Sequence, residues 1–273
     1  MNIERCENEV KMIQNMLGDE VIVTLHECDK GNNIIMHGAI VANKNSKNQP
    51  SPIYYFNLDE ECEADAKRIV KLHHKTISET PAIDVSWFDD YEKAKERLIL
   101  RLSSNPPQGV VSKPAFADLY MTVCVRLDEV KGVINIKEEH LKHWGINVDM
   151  LFKDARQYAK KNAPFVYKSL GMICQEVNPF GSVPKTIEDI LILTTSCSQY
   201  GAAAILYAEL PEEFYMIPSS IHEVLLYPIP QNKAEESELT SMVQFVNKTE
   251  VSPEDILADH AYHYSKGNWR IIA

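Results

Sequence analysis

The sequence lacks the short motifs that mark the common nucleotide-binding and metal-binding proteins. Its ten glycines stand singly. Because neither Gly-x-Gly-x-x-Gly nor Gly-x-x-x-x-Gly-Lys occurs, phosphate binding by a glycine-rich loop is unsupported. The six cysteines contain no Cys-x-x-Cys pair, and their wide spacing fits neither a zinc site nor a small disulfide framework. We therefore expect no cofactor and no metal, and thiols that remain reduced.

Long apolar runs and an excess of positive charge are also missing. No window approaches the roughly 20 apolar residues that a membrane helix requires, and residues 1–11 lack the apolar core of a secretory signal. The chain has 28 Lys and Arg residues against 39 Asp and Glu residues, a net charge of −11, which disfavours a broad phosphate-binding surface. We expect a cytoplasmic protein with no membrane association, for which nucleic acid is a disfavoured partner.

What the sequence does contain is a recurring order of adjacent strand-like runs followed by a helical pattern. Residues 2–17 have apolar side chains at helical spacing. Residues 20–28 and 33–42 are predicted strands, joined by a turn in which Gly31 and Asn32 accept positive φ. Strands in hairpin succession predict an α+β fold of mainly antiparallel sheet segments, with helices packed on one face.

The same order of strands and then a helix returns twice along the chain. Residues 91–102 are predicted to form a helix because Lys and Glu alternate there. The Pro-rich stretch 103–114 is the clearest linker or loop, since its prolines and glycine deny it a regular backbone. We predict two α+β segments, 1–104 and 115–273, either as separate domains or as one continuous domain.

The densest apolar sequence runs from Leu191 to Pro230. Turn signals divide it into strands predicted at residues 190–195, 202–206, 214–217 and 223–227. For residues 202–206 the alternative is a short helix that opens at Gly201 and ends at Pro211. A helix is predicted to follow at 235–246, and a last extended piece, 260–272, is predicted to return to a sheet.

One local cluster in this stretch has candidate chemistry: Ser219, Ser220, His222 and Glu223. A serine hydrolase needs a serine within hydrogen-bond reach of a histidine that a carboxylate orients. On a strand, Ser220 and His222 share one face, but residues two apart lie about 6.5–7 Å apart and Glu223 points away. No Gly-x-Ser-x-Gly elbow exposes the serine. We interpret the cluster as a polar turn, with a binding site at these four residues as the alternative, and predict no catalytic residue.

Two histidine pairs have a spacing that could begin a metal site. His140-x-x-His143 could lie on one helical face, and His260-x-x-His263 stands beside Asp259. Catalytic zinc needs a third ligand and usually a nearby general base, and the sequence has no His-Glu-x-x-His. Solvated or core histidines are the simpler interpretation of both pairs, so we predict no metal ligand.

Seven phrases spread over the chain carry a family resemblance. They are residues 201–207 (GAAAILY), 217–226 (IPSSIHEVLL), 246–254 (VNKTEVSPE), 36–38 (MHG), 52–55 (PIYY), 85–91 (VSWFDDY) and 144–146 (WGI). Together they resemble a bacterial domain-of-unknown-function family, domain of unknown function 5688, over most of the chain. The resemblance implies a one-piece architecture and relatives in gut-dwelling anaerobes and mobile elements. It implies no activity, ligand or catalytic residue.

Two functions from different classes remain open. The first is a non-enzymatic protein-interaction or regulatory protein of a bacterial cytoplasm, associated with mobile elements, that binds a protein partner through an exposed sheet edge or an apolar groove. The second is a hydrolase or other small-molecule enzyme with Ser220 and His222 in a pocket built from distant loops. Convergence of these side chains in a concave pocket would favour the enzyme. A serine that only caps backbone groups would favour the interaction protein.

Overall fold

The computed structural model describes residues 3–32, 34–44, 51–79, 84–128, 132–178, 182, 184–229 and 234–272. The chain forms two compact units. The first comprises Met1–Ala94 with Asp128–Gly132, and the second comprises Lys95–Leu127 with Val133–Ala273. The domain boundaries given above, 1–104 and 115–273, stay a prediction. No helix in the described ranges is both long and apolar enough to span a bilayer.

The first unit is a three-stranded antiparallel sheet with two helices on one face. Its elements are α1 (Ile3–Leu17), β1 (Val21–Asp29), β2 (Ile35–Asn43), β3 (Ile53–Tyr55), α2 (Cys62–Glu79), a 3-10 helix (Ser86–Asp89) and α3 (Tyr91–Ala94). The strand order is β1-β2-β3. The buried core lies between the helices and the sheet and consists of Ile13, Val23, Ala39, Val41, Tyr54, Ala66 and Ile69.

The β1–β2 hairpin confirms the prediction from sequence. Its antiparallel register runs from Val21 opposite Asn43 to Asp29 opposite Ile35. The turn has positive φ at Gly31 (86°) and at Asn32 (53°). The Asp29 carboxylate accepts the Gly31 N–H at 2.8 Å and so fixes the turn.

The second unit begins with a four-stranded sheet, and the first strand of this sheet lies where the end of a helix was predicted. Its strands are β4 (Leu98–Ser103), β5 (Ser112–Phe116), β6 (Leu119–Leu127) and β7 (Gly132–Asn135), with β6 between β4 and β5 and also paired with β7. The helix predicted at 91–102 is wrong beyond Ala94. Leu98, Leu100 and Leu102 are buried alternately in β4, and this period of two is the period of a strand. Within the Pro-rich stretch 103–114, residues 104–111 connect β4 to β5 of this one sheet, but residues 112–114 are already part of β5 and pair with β6, so the loop predicted there is wrong.

A six-stranded antiparallel sheet completes the second unit. Its strands are β8 (Phe165–Ser169), β9 (Leu191–Thr195), β10 (Glu213–Ser220), β11 (Glu223–Tyr227), β12 (Tyr262–Ser265) and β13 (Asn268–Ile271), in the order β13-β12-β10-β11-β9-β8. The helices of this unit are α4 (Glu138–Trp144), α5 (Val148–Asn162), α6 (Leu170–Val177), α7 (Lys185–Glu188) and α8 (Ala234–Thr249). Helix α8 packs on one face of the sheet through Leu239 and Val243. The α+β class with antiparallel sheets is confirmed.

The strand predicted at residues 202–206 is wrong, and a helix that opens at Gly201 is observed, although it ends at Leu206 and not at Pro211. Residues Gly201–Leu206 form a 3-10 helix in which five consecutive residues, from Gly201 to Ile205, are buried. A helix that is apolar on all sides is a buried helix, and the small apolar side chains of Ala202, Ala203 and Ala204 meet this condition. The predicted strands around 190–195, 214–217 and 223–227, and the return of 260–272 to a sheet, are confirmed.

Candidate functional site

Ser219–Glu223 lies at the turn between β10 and β11. The Ile221 N–H donates to the Asp255 carbonyl oxygen at 2.8 Å, and the Ile221 carbonyl oxygen accepts the Ala202 N–H at 3.2 Å. The turn is therefore bonded on one side to the 3-10 helix Pro253–Asp255 and on the other to the 3-10 helix that begins at Gly201.

Both serines of the turn make local hydrogen bonds. The Ser220 hydroxyl oxygen accepts the backbone N–H of His222 at 3.1 Å. The Ser219 hydroxyl donates to a Glu223 carboxylate oxygen at 3.4 Å. The register between β10 and β11 shifts between Pro218 and Ser220, so the simple alternation assumed from the sequence does not apply at this turn. Ser220 thus serves the backbone of the turn.

The His222 ring is held by groups at both of its nitrogens. Nδ1 accepts the Tyr200 backbone N–H at 3.1 Å, and Nε2 lies 3.5 Å from an Asp255 carboxylate oxygen. A nitrogen that accepts a hydrogen bond carries no proton, so the neutral ring has its proton on Nε2, directed at Asp255. A general base needs a free nitrogen directed at the nucleophile. In this arrangement His222 has none to offer Ser220.

Three residues that the sequence gave no reason to group complete the cluster. Tyr200 has a left-handed backbone (φ 53°), and its ring stacks on His222 with centroids 5.6 Å apart. The guanidinium carbon of Arg101 lies 4.3 Å from the centroid of the Tyr200 ring, which is within cation–π range. Asp255 comes from beyond α8. Because Arg101, Tyr200 and Asp255 stand far apart in the chain, only the tertiary structure brings them to His222.

Gly201 is required beside this cluster for steric reasons. A Cβ atom at this position would lie 2.1 Å from the Thr194 hydroxyl oxygen and 2.4 Å from the His222 carbonyl oxygen. The Thr194 hydroxyl donates to that carbonyl at 2.8 Å. The arrangement therefore packs β9 against the β10–β11 turn and holds Tyr200 in a strained conformation. A binding role for Ser219, Ser220, His222 and Glu223 stays a prediction.

The histidine pairs are engaged separately. His260 Nε2 lies 3.3 Å from an Asp118 carboxylate oxygen, whereas His263 Nε2 lies 3.0 Å from a Glu213 carboxylate oxygen. His140 Nδ1 accepts the Lys137 N–H and so takes part in the first turn of α4. Within the described ranges no group of three or more His, Cys, Asp or Glu side chains is placed to hold a metal ion.

The outer edge of β1 is a second candidate site. In an antiparallel pair, residues opposite each other point their N–H and C=O groups either toward one another or away from one another. The Val41 N–H and the His37 carbonyl both bond on the β3 side. Their register partners, Val23 and Glu27, therefore point away from β2, as does Leu25 between them. In the described residues β1 is the edge strand of its sheet, so these groups face outward.

The outward main-chain groups of β1 form two halves of the edge: the first half is Val21 and Val23, and the second half is Leu25 and Glu27. In the first half the side-chain amide of Gln14, on α1, accepts the Val23 N–H at 2.9 Å and donates to the Val21 carbonyl at 3.2 Å. In the second half, no described residue bonds the outward N–H and C=O of Leu25 and Glu27. An edge strand with unpaired main-chain groups is a template for another extended chain.

The comparison with protein families bears on the whole chain. A model for a family of unknown function (DUF5688) matches residues 4–266 of 273. The chain belongs to this family. The predicted resemblance is thus confirmed, and DUF5688 membership assigns no activity. No curated protein and no solved structure matches the chain.

This DUF5688 chain also contains a buried pair of carboxyl groups that sequence reasoning missed. Glu9 of α1 and Asp65 of α2 are both fully buried. Asp65 accepts hydrogen bonds from the Arg68 side chain at 2.5 Å and from the Asn57 N–H at 2.8 Å. No N–H or hydroxyl donor of the described residues lies within hydrogen-bond distance of Glu9, and Arg5 Nε is 3.9 Å from a Glu9 carboxylate oxygen. Burial and the neighbouring Asp65 raise the pKa of Glu9 to about 8, against the opposing effect of Arg5.

Proposed function

We propose that this chain is a non-enzymatic protein-interaction protein of the bacterial cytoplasm, and that it binds an extended segment of a partner protein along the outer edge of β1. The observation that carries the proposal is the pair of outward, unbonded main-chain positions at Leu25 and Glu27 in the described structure. An extended segment satisfies such groups by adding as a further strand, and its main-chain hydrogen bonds then supply affinity.

The side chains beside this edge specify the chemistry of the partner. Ile22, Ile40 and Ile53 share the face of the sheet that is opposite α1 and α2. Ile22 is 47% exposed. An added strand would cover Ile22 only if it extended along residues 21–23. By contrast, Leu25 is half-buried, and an apolar side chain of any strand added at Leu25 and Glu27 would cover it. Glu27 is also exposed, at 65%.

Charge favours a basic partner. Residues 1–94 contain 17 acidic and ten basic side chains, and Lys30, next to the edge, already lies over the Tyr55 ring at 4.5 Å. A partner segment that alternates apolar and basic residues therefore complements both the apolar and the charged character of the edge.

The enzyme alternative receives less support from the hydrogen bonds of Ser220 and His222. A serine hydrolase requires the histidine to receive the serine proton. The Ser220 hydroxyl instead accepts the His222 backbone N–H, and both ring nitrogens of His222 are engaged elsewhere. The cytoplasmic setting is supported by the six cysteines, all of which are free thiols, as is usual in a reducing compartment.

The test is binding of a fluorescein-labelled peptide of eight residues that alternates valine and lysine, measured by anisotropy. We compare Glu27→Pro with Glu27→Ala as its matched control. Both variants lose the Glu27 carboxylate and its contact with His37, but only proline removes the outward N–H. Proline is tolerated on an edge strand when its nitrogen faces outward. One lost hydrogen bond is worth about 1 kcal/mol, so Glu27→Pro should bind at least about five-fold more weakly than Glu27→Ala.

Three results would contradict the proposal. The first is failure of the unmodified chain to bind the valine–lysine peptide. The second is equal binding by Glu27→Pro and Glu27→Ala. The third is a dimer of the unmodified chain in sedimentation that Glu27→Pro dissolves, because that result would assign the edge to a second copy of this chain. A peptide that alternates valine and glutamate serves as the charge control and should bind more weakly.

A further inference from the structure

Gln14 has the hydrogen-bonding pattern of a neighbouring strand. Its side-chain oxygen accepts the Val23 N–H at 2.9 Å, and its side-chain nitrogen donates to the Val21 carbonyl at 3.2 Å. A single residue of an added parallel strand would present the same acceptor, its C=O, to the Val23 N–H and the same donor, its N–H, to the Val21 carbonyl. The amide of Gln14 therefore occupies the positions that a partner strand would use in the first half of the edge.

The position of Gln14 is fixed by the end of α1. The Gly18 N–H donates to the Gln14 carbonyl at 2.9 Å, and the Gln14 side-chain nitrogen donates to the Gly18 carbonyl at 2.7 Å. Gly18 has a left-handed backbone (φ 76°), which ends the helix and returns the chain into β1. The residue before Gln14, Ile13, is fully buried in the core of the unit. The side-chain amide is thus held against β1 at both of its polar atoms.

We propose that Gln14 is an autoinhibitory strand mimic: it seals the first half of the β1 edge and confines a partner strand to Leu25–Asp29. This inference rests on the proposed function, because it concerns which part of the same edge a partner can reach. Because Gln14 belongs to α1, this helix limits the length of the partner segment that can bind. Removal of the Gln14 amide should free the Val23 N–H and the Val21 carbonyl for a longer partner strand.

The test is a series of valine–lysine peptides of four, six and eight residues, measured against Gln14→Ala and Gln14→Glu. Alanine removes the mimic and is a good helix former. Glutamate keeps an acceptor for Val23 but cannot donate to the Val21 carbonyl. Lys11→Ala, an exposed change on the same helix, is the control. Affinity for the unmodified chain should level off once the peptide covers Leu25–Asp29.

In Gln14→Ala the affinity should continue to rise with peptide length, and the eight-residue peptide should bind about five-fold or more tightly than it binds the unmodified chain. Gln14→Glu should lie between the two, and Lys11→Ala should match the unmodified chain. As a readout without any peptide, the Val23 amide should exchange its hydrogen faster in Gln14→Ala.

The two proposals fail in different ways. If Glu27→Pro binds the peptide as well as Glu27→Ala does, binding at the edge of β1 is refuted. If Glu27→Pro weakens binding but Gln14→Ala leaves the length dependence unchanged, only the role of Gln14 is refuted. An unchanged exchange rate of the Val23 amide in Gln14→Ala would also overturn that role.

Discussion

Replacement of Glu9 by glutamine should stabilise the first unit, and the gain should grow as the pH rises. Glu9 is fully buried against Asp65, which already accepts bonds from Arg68 and from the Asn57 N–H. Two facing carboxyl groups need one proton between them, and Glu9 holds it because its pKa is raised to about 8. A glutamine amide donates to Asp65 in the same way without the need for a proton.

The direction of the pH dependence follows from the raised pKa. An acid with a raised pKa in the folded state contributes its full stability below the pKa of the unfolded chain, near 4.5, and loses it as the pH rises through about 8. Within this window the loss is about 1.4 kcal/mol per pH unit, or on the order of 3 kcal/mol by pH 7. Glu9→Gln should abolish this slope.

The assay is urea unfolding followed by circular dichroism at pH 5, 6, 7 and 8. Glu9→Gln and the unmodified chain should have similar free energies of unfolding at pH 5, and the variant should be the more stable by pH 8. Glu63→Gln is the control on α2, because Glu63 is exposed and contacts only Lys67 in the described structure; it should change little. A variant less stable than the unmodified chain at pH 8 would refute the shared proton.

Two further predictions concern the second unit. His222→Ala should lower the free energy of unfolding by about 1–2 kcal/mol, because the strained Tyr200 loses the acceptor of its N–H. Ser220→Ala should lower it by about 1 kcal/mol or less. A melting temperature that His222→Ala leaves unchanged would contradict this prediction. Gly201→Ala should cost more than either, since its Cβ would lie 2.1 Å from the Thr194 hydroxyl oxygen; a soluble variant with an unchanged melting temperature would show that the contact relaxes freely.

The sequence predicted those parts of the fold that depend on short-range signals. The β1–β2 hairpin is correct because its turn residues specify positive φ locally. The helix predicted at 91–102 is wrong because its charged residues masked the leucine alternation of β4. In α1 the predicted helix is correct, but not every apolar side chain at helical spacing faces the core, since Ile3 is 55% exposed whereas Glu9 is fully buried. Glu9 lies four residues before the buried Ile13, on the same face of α1. This spacing was the one sequence signal that pointed to the buried carboxyl pair.

The candidate sites depended on contacts that no local pattern encodes. The sequence grouped Ser220 with His222 because they are neighbours, but the groups that hold the His222 ring are the Tyr200 N–H and the Asp255 carboxylate. Strand order is likewise absent from a single sequence. An open edge was predicted in general terms, but its place on β1, and its partial closure by Gln14, required the register of the sheet.

The most direct test of binding at the β1 edge is amide exchange in the isotopically labelled chain, measured by nuclear magnetic resonance with and without the eight-residue valine–lysine peptide. The amides of Leu25 and Glu27 should exchange rapidly in the free chain, because no described residue bonds them. Saturating peptide should slow both, while the Thr24 and His26 amides, which already face β2, should change little. Equal exchange of Leu25 and Glu27 with and without bound peptide would contradict strand addition at this edge.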